Sequence, residues 1–154
     1  MALMDLGTTT LMETAGKMAF SYLLALPVGF EREREERGVG IRTFPIVAIA
    51  SCGYMLVAAK SGENGTDLRA LQGLMTGIGF IGGGAILREG ATIHGTATAA
   101  SVWATGATGA AVALGRLDIA ILLAIFNLFT LRALLPIKRR LDARKDPDSS
   151  SAGR

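Results

Sequence analysis

The sequence is poor in charge, in cysteine and in the motifs of familiar enzymes. Acidic and basic residues together make up 19% of its 154 residues, whereas soluble proteins average about 25%. A single cysteine, Cys52, excludes an internal disulfide and a zinc site built from cysteines. The sequence contains no phosphate-binding glycine loop, serine-nucleophile motif or zinc-protease helix, so we predict that the chain is not an enzyme. Its slight basic excess does not predict nucleic-acid binding, because membrane topology uses the same residues.

Apolar residues are abundant, at half of the chain, and the mean hydropathy is +0.41. They form five segments, at residues 15–30, 44–59, 71–87, 97–114 and 117–137. A membrane span needs about 20 apolar residues, so the first two need flanking residues or a thinned bilayer. The fourth is the least hydrophobic, and a re-entrant or protein-buried helix is its alternative. We predict an all-α integral membrane protein with a bundle of about five transmembrane helices over residues 1–137 and a basic, polar tail over residues 138–154.

Glycine is concentrated in the third segment, which reads DLRALQGLMTGIGFIGGGAIL from Asp67 to Leu87. Each interior glycine costs a soluble helix about 1 kcal/mol relative to alanine. In a membrane, small residues instead let neighbouring helices approach closely. We therefore predict Gly/Ala-rich third and fourth helices, with helix-packing positions at Gly73, Gly77, Gly79, Gly82 and Gly83.

Lysine and arginine residues cluster on one side of the predicted spans, and positive loops stay in the cytoplasm. That side holds the first connection, the third connection and the tail, with Arg32, Arg34, Arg37, Arg42, Arg88, Lys138, Arg139, Arg140, Arg144 and Lys145. The distribution predicts an N-terminus outside and a C-terminus in the cytoplasm. The basic tail either contacts anionic lipid headgroups or only fixes this topology.

Two charged groups are candidate functional sites at opposite ends of the predicted helices. Glu31 directly follows the first apolar segment, and a carboxylate at that depth needs a partner, for which Arg42 is the expected one. The alternative is a solvated helical turn in which Arg32 pairs with Glu36 and Glu33 pairs with Arg37, four residues apart. Asp67, Arg69 and Gln72 lie within two turns at the start of the third helix, where Asp67 either caps the helix or contributes to a magnesium site. Asp67 and Glu31 are the candidate metal ligands.

The fourth segment carries hydroxyl groups on one side of a helix, at Thr98, Ser101, Thr105 and Thr108. Trp103 points away from them. Such hydroxyls either line a polar pathway or bond to their own backbone and to neighbouring helices. In the last span, Asn127 is interpreted as an interhelical hydrogen bond and Arg132 as a snorkelling side chain. His94, the only histidine, is expected in a short solvated loop.

Three blocks of the sequence resemble the MgtC/SapB family of bacterial inner-membrane proteins. They are GFERE with GIRT at residues 29–33 and 40–43, DLR with QGLMTGIGFIGGGAI at residues 67–86, and GTATAASVW at residues 95–103. The resemblance implies a multi-pass protein of the bacterial inner membrane. It also places the polar residues characteristic of the family at Glu31, Arg32, Arg42, Thr43, Asp67, Arg69, Gln72, Thr98 and Trp103.

The chain departs from the family pattern in places that concern ion binding. Phe44 stands where many members have histidine, and Thr96 and Ala97 replace the leucine and first threonine of a G-L-T-T-A-A block. These changes remove a titratable group and a hydroxyl. Pathogen-type members also carry a C-terminal ACT-like domain, which this chain is too short to hold, so we expect it to belong with the short, SapB-like branch.

The resemblance implies a part in growth under magnesium limitation, and it leaves three functions open. The first is cation homeostasis in which Mg²⁺ or another ion moves through a polar seam beside the third and fourth helices. The second is a non-transporting regulator that binds another membrane complex, such as the F-type ATP synthase, which the family is thought to restrain. The third is a purely structural homo-oligomer, formed through the small-residue helix faces.

Overall fold

The computed structural model describes residues 8–35, 39–60, 66–89 and 92–145. Five helices are present in these ranges: α1 (Thr8–Glu35), α2 (Thr43–Lys60), α3 (Thr66–Gly84), α4 (Thr96–Ala113) and α5 (Leu117–Lys145). Two short strands, β1 (Leu87–Glu89) and β2 (Thr92–His94), lie between α3 and α4. The helical fold class and the existence of each predicted helix are therefore confirmed.

The first and last helices extend well beyond the apolar segments that predict them, whereas α4 has the same length as its segment. The first continues past its apolar segment through a charged turn to Glu35, as expected, although the predicted pairs to Glu36 and Arg37 lie outside the described residues. The last helix runs to Lys145 and contains Pro136. It therefore includes the first part of the segment predicted as a tail.

Two antiparallel strands form a β-hairpin within the connection from α3 to α4, where the sequence predicts only a loop. Leu87 pairs with His94, and Arg88 pairs with Ile93, in antiparallel register. The chain then turns into α4 at Gly95, whose φ of 81° is in the left-handed region. A side chain at Gly95 would also meet the carbonyl oxygen of Ala85. Glycine is therefore needed for this turn on both conformational and steric grounds.

Successive helices run in opposite directions, and α4 packs against each of the other four. Contacts between helix ends establish this arrangement. Glu31, near the end of α1, bonds to Arg132 in the second half of α5, and Gly82, near the end of α3, lies against Ala99 at the start of α4. We call this end of the bundle, where α1 and α3 end and α2 and α4 begin, the hairpin end. The helix α3 begins at the opposite end.

Glycine residues of α4 make the closest helix contacts. A Cβ atom at Gly106 would collide with the side chain of Ile78 on α3, and one at Gly109 would collide with the carbonyl oxygen of Ala48 on α2. On α3, a Cβ atom at Gly82 would lie 3.1 Å from the carbonyl oxygen of Ala99. The other predicted packing positions of α3 have open space where a Cβ atom would lie, as far as the described residues show: Gly73, Gly77, Gly79 and Gly83. Their role in packing against another chain stays a prediction.

Several polar residues are buried in the bundle beside an apolar core that includes Phe44, Met55 and Val102, and many large apolar residues are exposed on its surface. Serine and threonine side chains are buried on three helices, together with Arg32, which is 2% exposed. By contrast, Phe80 is 85% exposed, and Phe126 and Phe129 are each 63% exposed. Soluble proteins rarely expose so many large apolar side chains, because water favours covering large apolar patches.

One helix in the described part of the chain is long and apolar enough to cross a membrane. It is the 21-residue stretch Leu117–Ile137 of α5, with a mean hydropathy of 2.1, and only 11% of it is buried. The helix α2 contains a shorter apolar stretch, Thr43–Ala59.

Candidate functional site

An ion pair joins the first and last helices at the hairpin end. The Nε atom of Arg132 donates a hydrogen bond to Oε2 of Glu31 at 2.8 Å. The Glu31 side chain is 11% exposed, whereas that of Arg132 is 55% exposed. The partner of Glu31 is therefore Arg132, and the prediction that Arg42 fills this role is wrong. The long Arg132 side chain reaches inward from the bundle surface to Glu31, a contact that the interpretation as a snorkelling side chain does not include.

A second guanidinium lies deeper in the bundle. Arg32 forms an ion pair with Glu35, one turn further along α1. Its Nη1 atom lies 3.4 Å from the hydroxyl oxygen of Thr98 on α4, within hydrogen-bonding distance. Thr98 is itself 1% exposed. Arg32 and Thr98 are both predicted as functional residues, but nothing in their sequence spacing predicts that they meet.

We call Glu31, Arg32, Glu35, Thr98 and Arg132 the charged cluster. It contains two carboxylates and two guanidinium groups, so its formal charges cancel. Buried charges are tolerated when they are paired in this way, although Oε1 of Glu35 is buried with no hydrogen-bond partner among the described residues. The cluster fastens α1 to both α4 and α5.

The four hydroxyl groups predicted to share one side of α4, at Thr98, Ser101, Thr105 and Thr108, are all buried, and two of them bond within their own helix. The hydroxyl of Thr105 donates to the carbonyl oxygen of Ser101 at 2.8 Å, and that of Thr108 donates to Ala104 at 3.0 Å. Asn127 on α5 donates to the same Ser101 carbonyl at 3.4 Å. The interpretation of Asn127 as an interhelical hydrogen bond is thus confirmed. Trp103 is 47% exposed, while the hydroxyl side of the helix is buried.

A polar pocket of about 430 Å³ lies beside the charged cluster, where α1 ends and α2 begins. It is lined by Glu33, Gly40, Arg42, Thr43 and Ile46. The carboxylate of Glu33 accepts a hydrogen bond of 3.1 Å from the backbone N–H of Ile41. A side chain at Gly40 would overlap Glu33. This close approach of the loop to α1 shapes the pocket and leaves Arg42 exposed at its edge.

The predicted polar residues divide between two ends of the bundle. Glu31, Arg32, Arg42, Thr43, Thr98 and Ser101 lie in the half near the hairpin end. Asp67, Arg69 and Gln72 belong to the first two turns of α3, at the opposite end. Arg69 and Gln72 are exposed, and the side chain of Asp67 lies outside the described residues. The structure thus forms one compact cluster from part of the predicted set.

The two candidate metal ligands, Glu31 and Asp67, lie at opposite ends of the bundle. The helix α3 has 19 residues and is therefore about 28 Å long. A single ion cannot contact both residues across that length. Among the described residues, no group of three or more His, Cys, Asp or Glu side chains could hold a metal ion. Glu31 is also already paired with Arg132.

Sequence reasoning missed Glu35 and the pairing role of Arg132. The pairing of Arg132 could have been expected in general terms, because an arginine within an apolar helix ordinarily has an acidic partner. Nothing in the sequence spacing identifies Glu31 as that partner, since 101 positions separate the two residues.

The fold and the site define a small helical bundle with many large apolar side chains on its surface and a largely buried polar cluster whose formal charges cancel. The family model described as "MgtC family" matches residues 18–140. The chain belongs to the MgtC family.

Relatives in several bacteria support this assignment. Protein MgtC of Brucella abortus is 30% identical over 132 residues, which cover 86% of this chain and 56% of the relative. Protein MgtC of Salmonella typhimurium is 34% identical over 94 residues, covering 61% and 40% of the two chains. Protein SrpB of Synechococcus elongatus is 28% identical over 137 residues, covering 80% and 75%. The chain thus spans just over half the length of the Brucella protein. No solved structure matches it.

Proposed function

We propose that the chain crosses the bacterial inner membrane with its five helices, leaving the N-terminus outside and the C-terminus in the cytoplasm. The distribution of side chains supports this proposal, since aromatic residues such as Phe80 and Phe126 face outward and hydroxyls face inward. Positive charge supports the orientation. Arg34, Arg42 and Arg88 are all exposed at the hairpin end, which becomes the cytoplasmic end.

Within the membrane, the protein acts in Mg²⁺ homeostasis as a regulator that binds another membrane protein rather than as a carrier of the ion. The charged cluster carries this proposal. Both of its carboxylates are paired with guanidinium groups, and Arg32 is buried between α1 and α4. A positive charge at that position opposes the entry of a dehydrated divalent cation. Such an ion also needs several carboxylate or carbonyl oxygens that are available to it, and among the described residues Oε1 of Glu35 is the one buried side-chain oxygen without a hydrogen-bond partner.

Cation transport remains the second candidate, and the buried hydroxyl side of α4 favours it. Thr98, Ser101, Thr105 and Thr108 form a continuous polar line along the helix. In the described structure, however, the hydroxyls of Thr105 and Thr108 donate hydrogen bonds to backbone carbonyls of the same helix. Transport would require these groups to turn toward an ion.

Flux measurements on purified protein in liposomes separate the two functions. The regulator proposal expects no flux of Mg²⁺ or other cations above that of empty liposomes, with circular dichroism showing that the protein is folded. A carrier would give flux that is lost in Asp67→Ala and kept in the control variant Glu63→Ala. That second pattern would overturn the regulator proposal.

Crosslinking in native membranes tests the partner directly. The outward side of α3 offers Gly83, where a larger side chain meets open space. We expect Gly83→Leu to abolish capture of a partner complex, for which the F-type ATP synthase is the first candidate, without preventing membrane insertion. Capture of only a second copy of this chain would instead support the structural homo-oligomer.

A further inference from the structure

Three cavities meet at one residue of α2. The polar pocket at the hairpin end includes Ile46 in its wall. Ile46 also lines an apolar groove of about 520 Å³ between α2 and α3, and a second apolar groove of about 690 Å³ between α1 and α2. The two grooves share Ile46, Ala50 and Tyr54. These positions are four residues apart, so they form a ridge along one face of α2 with a groove on each side.

The geometry points to this composite site as a binding site for a two-chain phospholipid with an ethanolamine headgroup. The headgroup occupies the polar pocket, and one acyl chain lies in each groove beside the ridge. This inference relies on the proposed membrane location of the bundle and not on its regulatory role.

The charges of the polar pocket match both ends of such a headgroup. Arg42 presents a guanidinium group, which binds a phosphate well. Glu33 presents a carboxylate, which accepts hydrogen bonds from an ammonium group. The backbone N–H of Ile41 holds that carboxylate in the pocket wall. An anionic headgroup would satisfy only Arg42, and a trimethylammonium headgroup has no N–H to donate to Glu33.

The dimensions and shape of the grooves suit acyl chains. From Ile46 to Val57, the α2 helix rises about 16 Å, close to half of the roughly 30 Å hydrocarbon core. The groove between α2 and α3 is wide because Gly73 and Gly77 line it without side chains. On the other side of the ridge, Gly53 lines the second groove. Gly73 and Gly77 of α3 therefore make room for an acyl chain, a function that does not require contact with another helix.

Native mass spectrometry of the full chain, released from detergent with an equimolar mixture of three lipids, tests the inference. The lipids carry ethanolamine, glycerol and choline headgroups on identical acyl chains. We expect the ethanolamine lipid to be retained preferentially. Arg42→Gln and Glu33→Gln should each lower its retention about tenfold, the ratio produced by loss of one good polar contact. Glutamine at position 33 still accepts the Ile41 hydrogen bond, so the pocket keeps its shape.

Matched variants separate the site from general lipid adhesion. Arg34→Gln removes an exposed charge at the same end but outside the pocket, and it should leave retention unchanged. Gly77→Leu fills the apolar groove and should reduce retention, whereas Gly83→Leu adds the same side chain outside the grooves and should not. Equal retention of all three lipids, or preference for the anionic one, would overturn the inference. Either result, obtained on membrane-inserted protein, leaves the proposed function standing, whereas failure of the chain to insert would defeat both.

Discussion

The two members of the Glu31–Arg132 ion pair should differ sharply in the cost of their removal. Replacing Arg132 with leucine leaves the Glu31 carboxylate, which is 11% exposed, without its partner. A buried acceptor that loses its hydrogen bond costs about 1–3 kcal/mol, and more when it is charged. Replacing Glu31 with leucine leaves Arg132, which is 55% exposed and long enough to reach the polar interface. That change should cost less than about 1 kcal/mol, as for a surface ion pair.

Thermal unfolding of the purified protein in one detergent measures this asymmetry. For a chain of this size, 1 kcal/mol corresponds to a shift in Tm of about 2–4 °C. Arg132→Leu should therefore lower Tm by several degrees more than Glu31→Leu. The double variant should have a Tm much closer to that of the unaltered protein than Arg132→Leu has, because it leaves neither charge unpaired. Equal shifts for the two single variants, or a double variant as unstable as Arg132→Leu, would refute this explanation of the pair.

Two further predictions concern helix contacts and use the same unfolding assay. Gly109→Ala should lower the free energy of unfolding by about 1–3 kcal/mol, because its new methyl group would collide with the carbonyl of Ala48. Gly83→Ala meets open space and should be neutral or stabilising by up to about 1 kcal/mol, and the reverse order would contradict the packing described. Thr98→Val should destabilise by about 1 kcal/mol, because the hydroxyl that faces Arg32 is lost. An unchanged Tm for that variant would show that the contact contributes nothing.

The helices themselves could be predicted from the sequence, because apolar segments separated by charged or glycine-containing connections indicate them directly. The paired strands at residues 87–89 and 92–94 could not, since each has only three residues. Strands this short carry no period that distinguishes them from a loop. Their pairing is decided by where the ends of α3 and α4 lie.

The candidate site could be predicted only in part, for a related reason. A carboxylate beside an apolar segment indicates that some partner exists, and this holds for Glu31. Which partner it has depends on the arrangement of the helices, and α5 brings Arg132 to Glu31 while Arg42 faces the neighbouring pocket. The glycine-rich sequence of α3 similarly predicts close packing, yet the tightest glycine contacts between helices are made by Gly106 and Gly109 of α4.

Cysteine labelling in intact cells tests the central claim, that the bundle spans the membrane with its hairpin end in the cytoplasm. In a Cys52→Ala background, single cysteines replace Glu63, in the connection before α3, and Ser149, beyond α5. A membrane-impermeant maleimide should label position 63 in intact cells and position 149 only after permeabilisation. Labelling of both positions from the same side, or recovery of the labelled chain in the soluble fraction, would contradict the account.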